Sequence, residues 1–579
     1  MSFRVWAPQA RSGVTLVLGD ERSAMRAGEG GWWESELAAP PGTAYAFAID
    51  DGEPRADPRG LSLPDGPDGR SAVVDLEAVR ATSVAWDGVA LEGAVVYELH
   101  VGTFTPDGTL DSAIARLDHL VALGVGIVEV MPLASFPGRH GWGYDGVGLY
   151  AVHAPYGGPF AFRRFVDACH ERGLGVCLDV VYNHLGPSGN HLREFGPYFT
   201  DRYATPWGEA VNLDGPGSDE VRRFIIDNAL MWLRDFHVDA LRLDAVHALL
   251  DERALTLLHE LTAEADALAK VLGRPLSLIA ESDRNDPLTV TARERNGTGF
   301  QGQWADDVHH ALHVALTGET QGYYADFATP GALAKVLEGI FFHDGTWSAF
   351  RERTHGAPID RAALPGSRFV VSLQTHDQVG NRATGDRLSA GLPPGRLACG
   401  AALLLTSAGT PMLFMGEEWG AGTPWMYFTD HTDPVIAEAV RTGRREEFGR
   451  HGWVLDDVPD PQAVTTFERS RLDWDEPGRE PHARLLAWYR DLIALRRERP
   501  DLGDPRLDRV RVEHDAIART VIVHRGEHVV AVNLDQQPHD LVLPRAGLGS
   551  VLAWDAAGVA IAGARVTLAA ENAAILAPG

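Results

Sequence analysis

Between residues 94 and 500 short apolar runs alternate with amphipathic stretches, and no other feature restricts the possible folds so tightly. The strand-like runs are VVYELHVG, GIVEVMP, GVCLDVVYN, DALRLDAVH, LSLIAES, GFQGQWAD, RFVVSLQTHD and TPMLFMGEEW. Helical stretches lie between them, among them AIARLDHLVALG, FRRFVDACHERG, EVRRFIIDNALMWLRDF and GRLACGAALLLTSAG. The stretch HARLLAWYRDLIALRRER would close the ring. Eight strand candidates in about 330 residues suit an α/β fold of the (β/α)8 TIM-barrel type with insertions. Strand number alone does not prove closure, so an open doubly wound sheet competes with the barrel. Gly-Val-Gly at 124–126 and Gly-Leu-Gly at 173–175 read as helix C-caps leading into strands.

The flanks have another texture. Residues 1–88 carry short alternating runs (FRVWAP, VTLVLGD, GGWWESEL, TAYAFAID) broken by Gly, Pro and Asp, which predicts an N-terminal β-sandwich. The barrel is expected over 89–504, and VIVHRGEHVVAVNL and VLAWDAAG predict a C-terminal β-sandwich over 505–579. Two insertions, at 185–218 after the third strand and at 419–480 after the eighth, read as long loops. In a barrel, such loops stand at the C-terminal face and shape the active site.

Composition narrows the function by exclusion. With 52 basic and 80 acidic residues the formal charge is −28, so a polyanion would approach against the field and nucleic-acid binding is disfavoured. Cys169, Cys177 and Cys399 form no CxxC and leave an odd thiol in any pairing, which argues against a disulfide framework and a zinc site. The start MSFRVWAPQARSG turns polar before a signal-peptide core can form, and no apolar run approaches membrane-spanning length. A cytoplasmic protein with no membrane or nucleic-acid partner, acting as a monomer, is the expectation. HExxH, GxxxxGK[ST] and GxSxG are all missing, so no cofactor is expected.

Polar residues gather where the strand candidates end: Asp179, Asn183 and His184 on the third, Arg242, Asp244 and His247 on the fourth, Glu281 and Asp283 on the fifth, His376 and Asp377 on the seventh. Any one of these could be a solvated cap or an ion pair. Their recurrence at four strand ends favours a site, because a barrel brings those ends to one mouth. Arg242 and Asp244 are two apart and share a strand face, while His247 could point the other way. Paired carboxylates near an arginine suit glycoside chemistry, which needs one acid to attack the anomeric carbon and another to protonate the leaving oxygen. Asp244, beside Arg242, is the better nucleophile, and Glu281, after the apolar LSLIA, the better acid. Trp142, Trp207 and Trp304 are candidates for stacking on sugar, although core packing explains most tryptophans. Glu417 and Glu418 read as structural hydrogen-bonding groups at the rim.

DVVYNH (179–184), DALRLDAVH (239–247), IAESD (279–283) and THDQVGN (375–381) resemble, in order and spacing, the four signature regions of the α-amylase family of retaining glycoside hydrolases. The resemblance implies Asp244 as nucleophile, Glu281 as general acid/base and Asp377 as transition-state stabiliser. It also implies that Arg242 orients Asp244, that His184 and His376 hold hydroxyls of the −1 sugar, and that Tyr144 stacks under it. His247 is taken as a further substrate-binding residue. The segments YELHVGTFTPDGT, EVMPLASFPGRHGWGYDG and LIAESDRNDP look like those of the maltooligosyltrehalose trehalohydrolases within that family. This implies a maltooligosyltrehalose substrate, and as metabolic partner a synthase that makes its α,α-1,1 linkage. A glucan-branching transferase and a non-catalytic glucan-binding protein are the alternatives. Thr375 and Gly148 stand where the family pattern leads one to expect asparagine and aspartate, and both are expected to touch sugar-binding regions. Some relatives hold calcium near the residue matching Asn183, but no acidic cluster accompanies it here, so no required metal is expected.

Overall fold

The computed structural model describes residues 3–450 and 458–579; residues 451–457, part of the 419–480 insertion, lie outside the described residues. Eight parallel strands close into a barrel: β1 Val96–Leu99, β2 Ile127–Val130, β3 Gly175–Val180, β4 Ala240–Leu243, β5 Ser277–Ala280, β6 Gly302–Trp304, β7 Phe369–Ser372 and β8 Thr410–Phe414. Each strand pairs with the next, and β8 returns to β1 through Met412 opposite Val96. Closure removes the open sheet from consideration. Every residue of these strands is buried, which is why they read as apolar runs without alternation.

Helices Gly158–His170, Ser218–Arg234, Leu257–Leu272, Asp306–Thr317 and Pro394–Leu405 lie between strands in the chain, and His482–Glu498 completes the set. Gly124 caps the helix Leu117–Leu123 in the left-handed region, φ 96°, as the glycine spacing predicts. Two further glycines have a packing reason. A Cβ at Gly302, the first residue of β6, would lie 2.6 Å from Cδ2 of Leu91, and one at Gly175 would run into Cγ1 of Val89. The segment that enters the barrel thus packs against the strand starts, and Leu91 joins Val96, Ile127, Cys177 and Ile279 in one apolar cluster.

Before the barrel, antiparallel sheets of three and four strands occupy residues 3–35 and 14–72. After it, sheets of five and three strands occupy residues 510–578 and 539–568. Arg59 ties the first of these regions to the barrel by donating to Tyr150 Oη and Asp227 Oδ2, both at 2.9 Å. The 185–218 insertion, read as loop, carries the helix Leu192–Phe195 and a hairpin of Phe199–Thr205 with Gly208–Val211. Among the described residues no helix is long and apolar enough to cross a membrane.

Candidate active site

The carboxyl ends of the strands meet in a cavity of about 560 Å³. Its floor is organised by Arg242, on β4, whose side chain is almost fully buried. Nη1 donates to both oxygens of Asp179 at 3.0 and 2.9 Å and to Oδ1 of Asp244 at 2.9 Å, while Nη2 lies 3.0 Å from Oε2 of Glu281. Register makes this possible: Asp179 on β3 stands directly beside Arg242 on β4, and Asp244 follows two residues on along the same face. One guanidinium therefore holds three carboxylates drawn from three adjacent strands.

Beyond β4 the chain turns sharply. Ala245 has φ 38°, a conformation that costs a non-glycine residue about 1–3 kcal/mol and is tolerated where structure around it compels it. The turn aims the Ala245 amide at Oε2 of Glu281, 2.8 Å away. Burial raises the Glu281 carboxyl above the usual range, and the charge of Asp244 adds to this, while Arg242 and the Ala245 amide oppose it. Asp179 is lifted likewise by burial, against the pull of Arg242.

His376 caps the other wall. Its Nδ1 is hydrogen-bonded to Oε1 of Glu98 on β1, and its backbone amide donates to Oε2 of the same residue at 3.0 Å. Burial opposes protonation, but Glu98 and Asp377 outweigh it and lift His376 to about 9, so the ring is a cation at neutral pH. Tyr144 stacks on that ring at 5.0 Å and donates to Oδ2 of Asp179 at 2.6 Å. His184 is pushed below the usual histidine range by burial, and its Nε2 lies 2.9 Å from the Tyr144 carbonyl. Asp377 projects from the short helix His376–Gly380 with 44% of its side-chain surface exposed.

Most of the expected site residues meet here. Trp142, Tyr144, His184, Trp207, Asp244, His247, Glu281, His376 and Asp377 all line the cavity. Trp207 is exposed and stacks on His184 at 4.4 Å, whereas Trp142 is buried, with Nε1 donating to the Met426 carbonyl at 3.0 Å. Trp304 requires correction. It is not part of the wall: the last residue of β6 turns into the barrel, where its ring lies 4.4 Å from the Arg242 guanidinium. It supports the arginine rather than offering a face to sugar. Gly148 is also displaced from expectation, since a Cβ there would meet Cδ1 of Leu63 at 2.6 Å and it does not line this cavity. Thr375 does the work of a capping amide, accepting from the Asp377 backbone at 3.2 Å.

Glu417 and Glu418 are buried beside the barrel: Tyr489 Oη donates to Glu417 at 3.1 Å, and His119 Nε2 lies 2.8 Å from Glu418. Among the described residues no group of three His, Cys, Asp or Glu side chains is placed to hold a metal. Sequence reasoning gave no role to Asp179 and passed over Glu98. Their signal was present as single acids inside apolar runs, GVCLDVV and VVYELH, where burial is tolerated only with a partner.

Residues 69–202 match the model of the α-amylase catalytic domain. Malto-oligosyltrehalose trehalohydrolase from Arthrobacter ramosus is 57% identical over 95% of both chains. The enzyme of the same name from Rhizobium sp. (strain M-11) is 52% identical over 99% of this chain and 97% of its own. The chain belongs to the malto-oligosyltrehalose trehalohydrolase family. A crystal structure of a candidate α-amylase from Salmonella typhimurium, at 38% identity, superposes with TM-score 0.90 over 100% of this chain and 97% of the other. Members of this family are glycoside hydrolases of the α-amylase type, and the barrel with its carboxylates at the strand ends is consistent with that membership.

Proposed function

We propose that the protein hydrolyses the α-1,4 bond next to the terminal trehalose of maltooligosyltrehalose, with retention, releasing free trehalose and a shortened maltooligosaccharide. The observation that carries this reading is the sharing of Arg242 by Asp244 and Glu281, at 2.9 and 3.0 Å, at the mouth of the barrel. Acids on neighbouring nitrogens of one guanidinium suit the close spacing of about 5–5.5 Å that retaining hydrolysis uses. Arg242 donates to Oδ1 of Asp244 and so orients the carboxylate for attack.

Burial and the Asp244 charge raise the Glu281 carboxyl, the direction that a general acid requires. Oε2 is occupied by Arg242 and the Ala245 amide, which leaves the proton on Oε1. In the first step Asp244 forms a bond to the anomeric carbon as the glycosidic bond breaks, and Oε1 gives its proton to the departing trehalose oxygen. Glu281, now a carboxylate, takes a proton from water. That water oxygen displaces Asp244 and restores both groups. Asp377 and the His376 cation hold hydroxyls of the −1 sugar, Tyr144 stacks beneath it, and His184 adds a neutral hydrogen bond. The substrate must come from a synthase that converts the reducing end of a maltooligosaccharide to an α,α-1,1 linkage.

The test is product analysis by chromatography after incubation with maltotriosyltrehalose and, separately, maltopentaose. Rapid trehalose release from the first with slow attack on the second is the expected result. Longer or branched chains without trehalose would make the protein a transferase, and binding without turnover would make it a glucan-binding protein.

A further inference from the structure

Helix Pro434–Arg450, from the insertion after β8, brings Val440, Gly443 and Arg444 to the cavity wall. The guanidinium of Arg444 stands 4.0 Å over the ring of Tyr427. Its Nη2 donates to Oδ1 of Asn381 at 3.0 Å. From the other end of the same amide, Nδ2 donates to Oδ1 of Asp377 at 3.2 Å.

An arginine can only donate and a carboxylate only accept, so an amide between them has one orientation that satisfies both. Arg444 thus dictates which end of Asn381 meets Asp377. Without it the amide keeps only its bond to the carboxylate, and the Asn381 side chain loses the anchor that holds it in place. Asp377 depends on this contact. It is half-exposed, and the nearest approach of His376 Nε2 to its Oδ1 is 3.7 Å, beyond hydrogen-bond range. With Oδ1 engaged by Asn381, Oδ2 is left for the substrate. Sugar filling the cavity excludes water from these bonds and strengthens them when the charge of the transition state develops.

We propose that Arg444 is a positioning residue that fixes the Asp377 carboxylate through Asn381, making the 434–450 helix part of the machinery that stabilises the transition state. This rests on the role given to Asp377 above. The bond from Arg444 orients the amide, the bond from the amide orients the acid, and Tyr427 holds the guanidinium at the start of the relay.

Arg444→Met keeps the stem over Tyr427 and removes the donor, and Asn381→Leu removes the amide. Each should lower kcat on maltotriosyltrehalose about tenfold while KM moves less than about threefold, the pattern of an interaction realised in the transition state. The double variant should be no slower than the slower single one, because both break one relay. Arg444→Lys should recover most of the rate, since an ammonium still donates to Oδ1. Losses that multiply in the double variant would overturn the relay, as would a raised KM at unchanged kcat, which would mean that Arg444 holds substrate itself. Asp377→Asn separates the two levels. If it abolishes turnover while the losses multiply, the relay alone fails; if turnover survives in it, the assignment of Asp377 fails as well.

Discussion

Replacing Arg242 with methionine keeps much of the side-chain volume over Trp304 but removes the cation shared by Asp179, Asp244 and Glu281. Breaking a buried ion pair by removing one partner costs about 3–5 kcal/mol, because the remaining charge is left uncompensated. Three acids face Arg242, yet Asp244 and Glu281 keep 12% and 19% of their side-chain surface and can recruit water, so the cost stays in that range rather than tripling. Unfolding entropy of about 2.1 cal/mol/K per residue over a barrel of roughly 400 residues gives ~0.84 kcal/mol per degree, so the midpoint should fall by about 4–6 °C. The dependence on pH is the sharper test. With the cation gone, Asp179 and Glu281 have folded-state pKa values raised further above their unfolded ones. Stability is then lost as pH rises through that interval, and the deficit against the parent shrinks as pH falls towards about 4. Calorimetry of parent and variant at pH 5 and pH 8 reads both quantities. An equal deficit at the two pH values would refute uncompensated charge as its cause, and a deficit under 1 °C at pH 8 would refute the shared-cation account altogether. Turnover should vanish in the same variant, since Asp244 loses the donor that orients it.

Glu281→Gln should reduce kcat on maltotriosyltrehalose by about 10²–10⁴. It should still form a glycosyl-enzyme from an α-maltosyl fluoride, whose leaving group needs no proton, and intact-mass spectrometry detects that adduct. In Glu98→Gln burial should win at His376 and drop it from about 9 to below the usual histidine range. A raised histidine contributes stability in full below its unfolded pKa of about 6.5 and loses it as pH rises through the folded value, so the midpoint deficit of Glu98→Gln should be fully present at and below about pH 6 and fade above pH 9. Gly175→Ala drives a Cβ into Val89 where β3 begins, and overpacking of this kind costs about 1–3 kcal/mol. Its melting midpoint should drop while kcat at moderate temperature stays near that of the parent, because the clash is at the opposite end of β3 from the cavity.

Local chemistry made much of this molecule legible from its residues in order. Eight buried strands announce themselves as unbroken apolar runs, and the acids that end them stand out because hydrocarbon does not tolerate an unpaired carboxylate. Arg242 and Asp244 share a face by the period of the strand alone. Three matters required the folded chain. Ring closure, through β8 and β1, depends on pairing between residues more than 300 positions apart, which leaves no local trace. The partner of Arg242 on β3 is set by register between strands, and the side of the barrel that Trp304 faces by how β6 meets its neighbours; neither is encoded in spacing. The relay from Arg444 to Asp377 joins an insertion to the seventh strand's end, and only tertiary packing brings them within hydrogen-bond reach. A period records what one segment does with its own side chains, whereas a site is an arrangement of several segments in space, and only the packed fold sets the distances between them.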